Sequence, residues 1–568
     1  MRVVVSLLAL VVAQRAGAQH EAHRAAQQGT GTTLGTVVFP NSGSAAAQPA
    51  FLRGMALLHS FTYDEAAESF EEAEKIDPSF ALPYWFEAFT NSHLLWGEDD
   101  PAAARRVLAK LGSTAAARLA KARTDRERNY GAAIEAFYAE TTLAVRERAF
   151  ADSMRHLAAR YPRDLEAAAF ASLALQMASA RGAEREEAIT LAERVFRESP
   201  NHPGGAHYLI HATDAPTLAT RGLAAARAYA KIAADAEHAL HMPSHIFVQL
   251  GLWDDAVASN ERAWIASRAW VKRRGLSGAE EDFHDLQWLQ YAYLQQGRYA
   301  AAKALIDTAR HVLAGVDVGD ASHVDARYAI GTLSFQYAAE TGDWSVMPAV
   351  GADTVAPAKP VSRRAQVFAL IDEYQRAMTA AMRGDSRAAA DSAPAGAGSL
   401  LSRLWARELP AVSALKRGDR TRAIALLREG AAIEDSLAFY GPPPSLMAHE
   451  LLGSALLDAG EPSEAVAAYE SSLKLTPNRS AALLGLARAR AAMADSTGAT
   501  AIYKKLLTNW HAADEGVPGR AEAQRWVLGM SPLLREVMLR LDIGDGARRG
   551  SSWGSEVFCR AVVMRGHQ

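Results

Sequence analysis

The chain has 568 residues, with 61 basic and 64 acidic side chains, 49% hydrophobic residues, 17 histidines and one cysteine. That composition excludes a disordered, collagenous or disulfide-stapled protein: apolar side chains suffice for a large core, and a lone thiol, Cys559, closes no internal bridge. The near-balanced charge leaves no basic surplus to displace counterions from a phosphate backbone, so no nucleic acid is expected as a partner.

Met1 and Arg2 precede an apolar run over residues 3–13 and the small-residue segment ending at Ala18. This is the layout of a cleaved signal peptide over 1–18. The run is too short to span a bilayer, and no cysteine follows it to carry a lipid. The mature protein is therefore expected to be exported, without a stable membrane anchor. Residues 19–48, rich in Gln, Gly, Thr, Ser and Ala, read as a flexible linker. The Gly29-x-Gly31 cluster within them lacks the strand and helix that a dinucleotide loop requires.

From Phe51 onward the pattern is helical, and Ala, Leu, Arg and Glu supply high helix propensity. Apolar residues recur at helical spacing between Gly-Asp, Gly-Arg and Gly-Glu turns. The clearest unit, 446–477, carries Leu452-Gly453, Leu456, Gly460, Ala465, Tyr469 and Pro477. These spacings fit a tetratricopeptide unit: small residues let two antiparallel helices touch, an aromatic fills the seam, and Pro ends the second helix. An early unit shows Gly54, Leu57, Tyr63, Ala66, Phe70, Ala73 and Asp77-Pro78, and others register on Trp253, Tyr299 and Gly418. One helical hairpin cannot bury its own apolar face, so stability must come from stacking. The fold class expected is all-α, a tetratricopeptide-like α-solenoid in two sub-solenoids. The first, at 49–344, is followed by a break at 345–362 containing Pro348, Pro357 and Pro360. The second spans 363–541, and a poorly ordered tail takes 542–568.

The histidines cluster. His207 and His211 form one i, i+4 pair, and His241 and His245 form another 34 residues later, one repeat length. Registered on the repeat, both pairs fall on first helices of consecutive hairpins, facing the concave groove. Asp214, His238, His284, Gln287 and Tyr291 fall on the same faces, and His202 lies near the same wall. Two imidazoles one helical turn apart can chelate a metal ion. His207, His211, His241, His245 and His284 are thus candidate ligands for Zn, Cu or Fe, with Asp214 as ligand or orienter. No Glu follows the first His of either pair, so metalloprotease chemistry is unsupported. The principal reading is an exported solenoid that binds a protein, peptide or small ligand in its concave, His-lined groove; the alternative is a metalloenzyme or metal-binding protein holding one or two of these ions on that wall, and in a third reading the rings merely pack. Pro243, between His241 and His245, must start or kink a helix.

The segments 202–211, with His-Pro-Gly and His-Tyr-x-Ile-His, and 241–247, His-Met-Pro-Ser-His-Ile-Phe, resemble a group of exported bacterial tetratricopeptide proteins of uncharacterised role. Phe283-His284-Asp285-Leu286-Gln287-Trp288 and the start of the array, through Tyr84-Trp85, add to the likeness, which covers roughly 35–310. The resemblance implies architecture and a His-bearing groove, and no reaction. Phe247 stands where that group has Tyr, so no hydroxyl is offered there.

Two further strings carry no chemistry. Gly550-Ser551-Ser552-Trp553-Gly554 lacks the strand-to-helix turn that exposes a nucleophile. Glu98-Asp99-Asp100 is better placed to cap the helix beginning at Pro101 than to bind a cation.

Overall fold

The computed structural model describes residues 33–529, apart from 94, 96–97, 179–181, 319–322, 349–362, 386–398, 438, 440 and 444–445. The expected signal peptide, the tail with Cys559 and the Gly550–Gly554 string lie outside the described residues, as do most of the expected break and part of the linker.

The described chain is an α-solenoid in which each helix packs on its successor. It opens with α1 (Gln48–His59), α2 (Tyr63–Ile76) and α3 (Leu82–Thr90). A short ladder of β1 (Ser92–His93) and β2 (Glu98–Asp99) leads to α4 (Pro101–Leu111), α5 (Ala115–Leu119) and α6 (Asp125–Phe137). The stack continues through α7 (Leu143–Arg160), α8 (Leu165–Met177), α9 (Ala183–Glu198), α10 (Pro203–Ala212) and α11 (Ala219–Ile232). Two short helices, α12 (Glu237–His241) and α13 (Pro243–Leu250), precede the long α14 (Trp253–Arg274), then α15 (Phe283–Gln295), α16 (Tyr299–Val312) and α17 (Val324–Thr341). Beyond the masked segment come α18 (Arg363–Met382), α19 (Leu400–Lys416), α20 (Arg420–Glu434) and α21 (Ala448–Asp458). The last four are α22 (Pro462–Leu475), α23 (Ser480–Ala492), α24 (Ser496–Asn509) and α25 (Arg520–Val527).

The seams follow the small-against-aromatic rule. Tyr469 of α22 lies between Gly453 of α21 and Gly485 of α23; a Cβ added at either glycine would sit 2.8 or 2.2 Å from its ring. Two helices can approach this closely only where the side chain is absent. Asp100 caps α4 through Ala103 N at 2.8 Å, the structural role expected for the acidic string. The carboxylate gives the helix N-terminus an acceptor for an otherwise unpaired N–H.

One expectation needs correction. Residues 33–47, read as part of a flexible linker, form an extended strap laid across the stack. Thr36 N donates to Asn201 O at 2.8 Å, Ser42 N donates to Glu127 at 2.6 Å, and Leu34, Val37 and Phe39 are buried. Burial of those three side chains, with the Arg126 guanidinium 4.3 Å from the Phe39 ring centre, outweighs the polar composition.

Helices on either side of the expected break pack together: Phe335 of α17 contacts Tyr374 of α18, which stacks on Trp405 of α19. The C-terminal repeats then return to the first stack. Asn478 donates to Gly251 O at 2.8 Å, Trp253 Nε1 donates to Asn478 O at 3.1 Å, and Ser480 Oγ donates to Gln295 O at 2.6 Å. Arg479, buried, bridges Glu340 at 2.5 Å and Glu450 at 2.6 Å. The solenoid therefore folds back on itself, its C-terminal repeats packing on the helices around Gly251 and Gln295.

Candidate functional site

The site begins with α10. His202 is its N-cap, accepting from Gly205 N at 3.1 Å, and Pro203 occupies the first turn, where a missing N–H costs nothing. The helix then presents His207 and His211 one turn apart, with ring centres separated by 4.8 Å. Facing it, Pro243 starts a new helix, as its missing N–H requires. Met242 nevertheless keeps helical dihedrals, φ −51° and ψ −35°, so His241 and His245 remain on one face. Their Nε2 atoms lie 3.1 Å apart. The third contributor, α15, is capped by Asp282, which accepts from His284 N at 2.9 Å and Asp285 N at 3.3 Å and so fixes both residues in the first turn.

Six imidazoles result, in two groups of three. His207, His211 and His238 form one group and His241, His245 and His284 the other, and within each group the candidate ligand atoms lie within 4.8 Å of one another. Trp288 packs on the second group, 4.3 Å from His245 and 5.1 Å from His241.

The protonation pattern follows from the oxygen atoms around the rings. His245 Nδ1 lies 2.7 Å from Asp214 Oδ2. His241 Nδ1 lies 2.8 Å from Asn260 Oδ1 and 2.9 Å from Asp285 Oδ1, and Asn260 is oriented by donating its amide nitrogen to Ala256 O at 2.9 Å. His207 Nδ1 lies 2.7 Å from the His59 carbonyl. The His59 carbonyl, Asn260 Oδ1 and Asp214 favour a hydrogen on Nδ1 of His207, His241 and His245, while burial pushes the Asp285 carboxyl up and its oxygens make no hydrogen bond. Burial drives the rings toward neutrality: it lowers His207 to about 3 and pushes His211, His238 and His284 well below the usual range. Burial also lowers His241 and His245, with Asp214 opposing it at both. Nε2 of His241 and of His245 meet at 3.1 Å, a contact made when one ring donates to the other, while Nε2 of His207 and of His211 is buried with no hydrogen-bond partner. Asp214 is itself held by Gln249, whose amide donates to Asp214 Oδ1 at 2.9 Å and to Phe439 O at 2.6 Å. An imidazole held through Nδ1 by an oxygen acceptor, with Nε2 bare as at His207, is the usual arrangement around a bound metal.

The chamber beside these rings has a volume of about 1660 Å3 and is lined by His211, His238, His245, His284 and Asp214, with Gln287 and Trp288 alongside. His207 and His241, 0% and 1% exposed, stand behind that front row. Phe439 and Pro442 close the C-terminal side, and the Gly441 backbone rests on Trp288.

Two predicted groove residues lie elsewhere. Tyr291 is buried against Trp253, and its hydroxyl accepts from Arg479 Nη1 at 3.1 Å. The returning C-terminal repeats cover that end of α15. His202 belongs to a separate buried network that the histidine spacing alone did not show. There Glu166 receives His59 Nε2 at 2.8 Å and His202 Nε2 at 2.9 Å, while His59 Nδ1 meets the Tyr208 hydroxyl at 2.8 Å. Burial raises the Glu166 carboxyl, but His202 and His59 outweigh it and hold the group far below its ordinary value. Both ring nitrogens of His59 and of His202 are engaged, so this trio is a completed hydrogen-bond network rather than a metal cradle. It fixes His59, whose carbonyl in turn sets the tautomer of His207. Asn260, Asp285 and Glu237 were also missed. The last two join Asp282 in a carboxylate cluster whose candidate ligand atoms lie within 4.8 Å of one another.

Family models described as tetratricopeptide repeat match residues 47–80, 410–478 and 450–518. No curated protein matches the chain. Among solved structures, a human IFIT1 dimer with m7Gppp-AAAA is similar at 11% identity and a TM-score of 0.34, over 84% of this chain and 92% of that one. The TPR domain of P58(IPK) is similar at 13% identity and a TM-score of 0.21, over 85% and 98%. The histidine-bearing segment, 202–288, lies between the matched repeats. The chain is thus an all-α solenoid that carries tetratricopeptide repeats toward both of its ends.

Proposed function

We propose that this protein binds transition-metal ions on its six-histidine wall, inside the chamber it lines. The observation that carries this reading is the convergence of two groups of three imidazoles, each with its candidate ligand atoms within 4.8 Å of one another, while Nε2 of His207 and of His211 is buried with no hydrogen-bond partner. A buried lone pair without a donor is costly, and a cation supplies the missing partner. Neutral imidazoles suit zinc, copper or iron and do not suit magnesium or calcium. Nothing in the donor set selects among those three. The signal peptide expected at 1–18 would place the centre in the periplasm or the medium. Stacked repeats of this kind build extended surfaces for protein partners, so the outer face of the solenoid serves as an interaction scaffold while the chamber holds the metal.

A second reading has the chamber grip a peptide or small ligand without metal. The size of the space favours it, but it leaves the buried Nε2 atoms of His207 and His211 without a partner.

Metal analysis of protein purified without chelator, followed by titration of the stripped protein with Zn(II), Cu(II) and Fe(II), tests the proposal. Bound metal is expected in the wild type and a large loss in His241→Ala/His245→Ala. A folded wild type that takes up none of the three ions would overturn it.

A further inference from the structure

Resting on the metal-binding reading above, we infer that the six imidazoles hold two ions side by side, as one dinuclear centre open to the chamber. Each group of three is a complete ligand set: a reactive site of this type takes three protein ligands and leaves a fourth position free. The groups also interlock. His211 and His245 are 5.7 Å apart between ring centres, and His238 and His241 are 6.2 Å apart. Separations inside one group run from 4.8 Å for His207 and His211 to 6.4 Å for His211 and His238. Neighbouring rings of different groups are therefore as close as rings of the same group.

Carboxyl groups stand behind the wall: Asp214 contacts His245, Asp285 lies 2.9 Å from His241 Nδ1, and Asp282 and Glu237 cluster with Asp285. The geometry also aligns the two sets. His211 and His238 from one group and His245 and His284 from the other all line the chamber, so the free positions open into one space. There a water or hydroxide can bridge ions separated by about 3.5–4 Å, the spacing of two-metal sites.

The test uses the stripped full-length protein, titrated with Zn(II) and, separately, Cu(II). The wild type is expected to bind two ions per chain. His211→Ala and His284→Ala, both half-buried at the chamber wall, are each expected to keep one ion and a wild-type circular dichroism spectrum. The doubly loaded copper protein is expected to show an electron paramagnetic resonance signal far below two spins per chain, because neighbouring Cu(II) ions couple. One ion per wild-type chain, two magnetically isolated coppers, or a folded single variant that loses both ions would overturn the dinuclear centre while leaving metal binding in place. No uptake at all would overturn both.

Discussion

At the scale of single residues, the site is governed by which nitrogen of each ring is already engaged. Asp214 holds His245 through a 2.7 Å contact, so under the proposed metal binding its replacement acts on the site without removing an imidazole. Asp214→Asn is expected to weaken metal affinity by roughly 10–100-fold, measured by competition against a chromophoric chelator. Protonation gives a second expectation. His207, lowered by burial to about 3, stays neutral in the fold at pH values where the unfolded chain, titrating near 6.5, takes up a proton. A depressed folded value means the contribution to stability is complete above pH 6.5 and is lost as pH falls toward 3. The metal-free protein should hold a level Tm above neutrality and lose stability steadily on acidification through that window. A Tm that stayed level down to pH 4 would contradict the assignment. The histidine pairs were legible because i, i+4 spacing and a 34-residue repeat are local signals. His59 and Glu166 were not, since they meet across 107 residues and no sequence pattern ties them together.

At the scale of elements, the repeat was readable because each hairpin carries its own small and aromatic residues. Tyr469 fills the gap between glycines on two neighbouring helices, as the spacing of Gly453 and Tyr469 predicted. Gly485→Ala places a methyl 2.2 Å from that ring and is expected to cost about 1–3 kcal/mol through overpacking, read from denaturant unfolding. The strap at 33–47 was misread for the opposite reason. Leu34, Val37 and Phe39 are spaced without helical or strand period, and only the surface beneath them makes the segment order. Pro243 marked a helix boundary correctly, yet the proline alone could not reveal that Met242 would keep the two imidazoles in line.

At the scale of the whole molecule, the fold-back depends on residues 478–480 reaching α13–α15. Arg479 is the buried tie, paired with Glu340 and Glu450 and donating to Tyr291. Arg479→Ala strands two buried carboxylates and is expected to destabilise the protein by about 3–5 kcal/mol. It should also raise the radius of gyration in small-angle scattering and speed hydrogen exchange at Gly251 and Gln295. An unchanged radius would show that the fold-back does not rely on this tie. The same long reach explains why Tyr291 was misplaced: its partner lies 188 residues away.

The fold-back also sets an order of events. Asn478 and Gly251 are separated by 227 residues, and contacts so distant in sequence pay a large loop-closure entropy before they return any energy. The histidine helices can stack through neighbours alone, whereas the last repeats dock across the whole array. The wall can therefore assemble before the fold-back is complete.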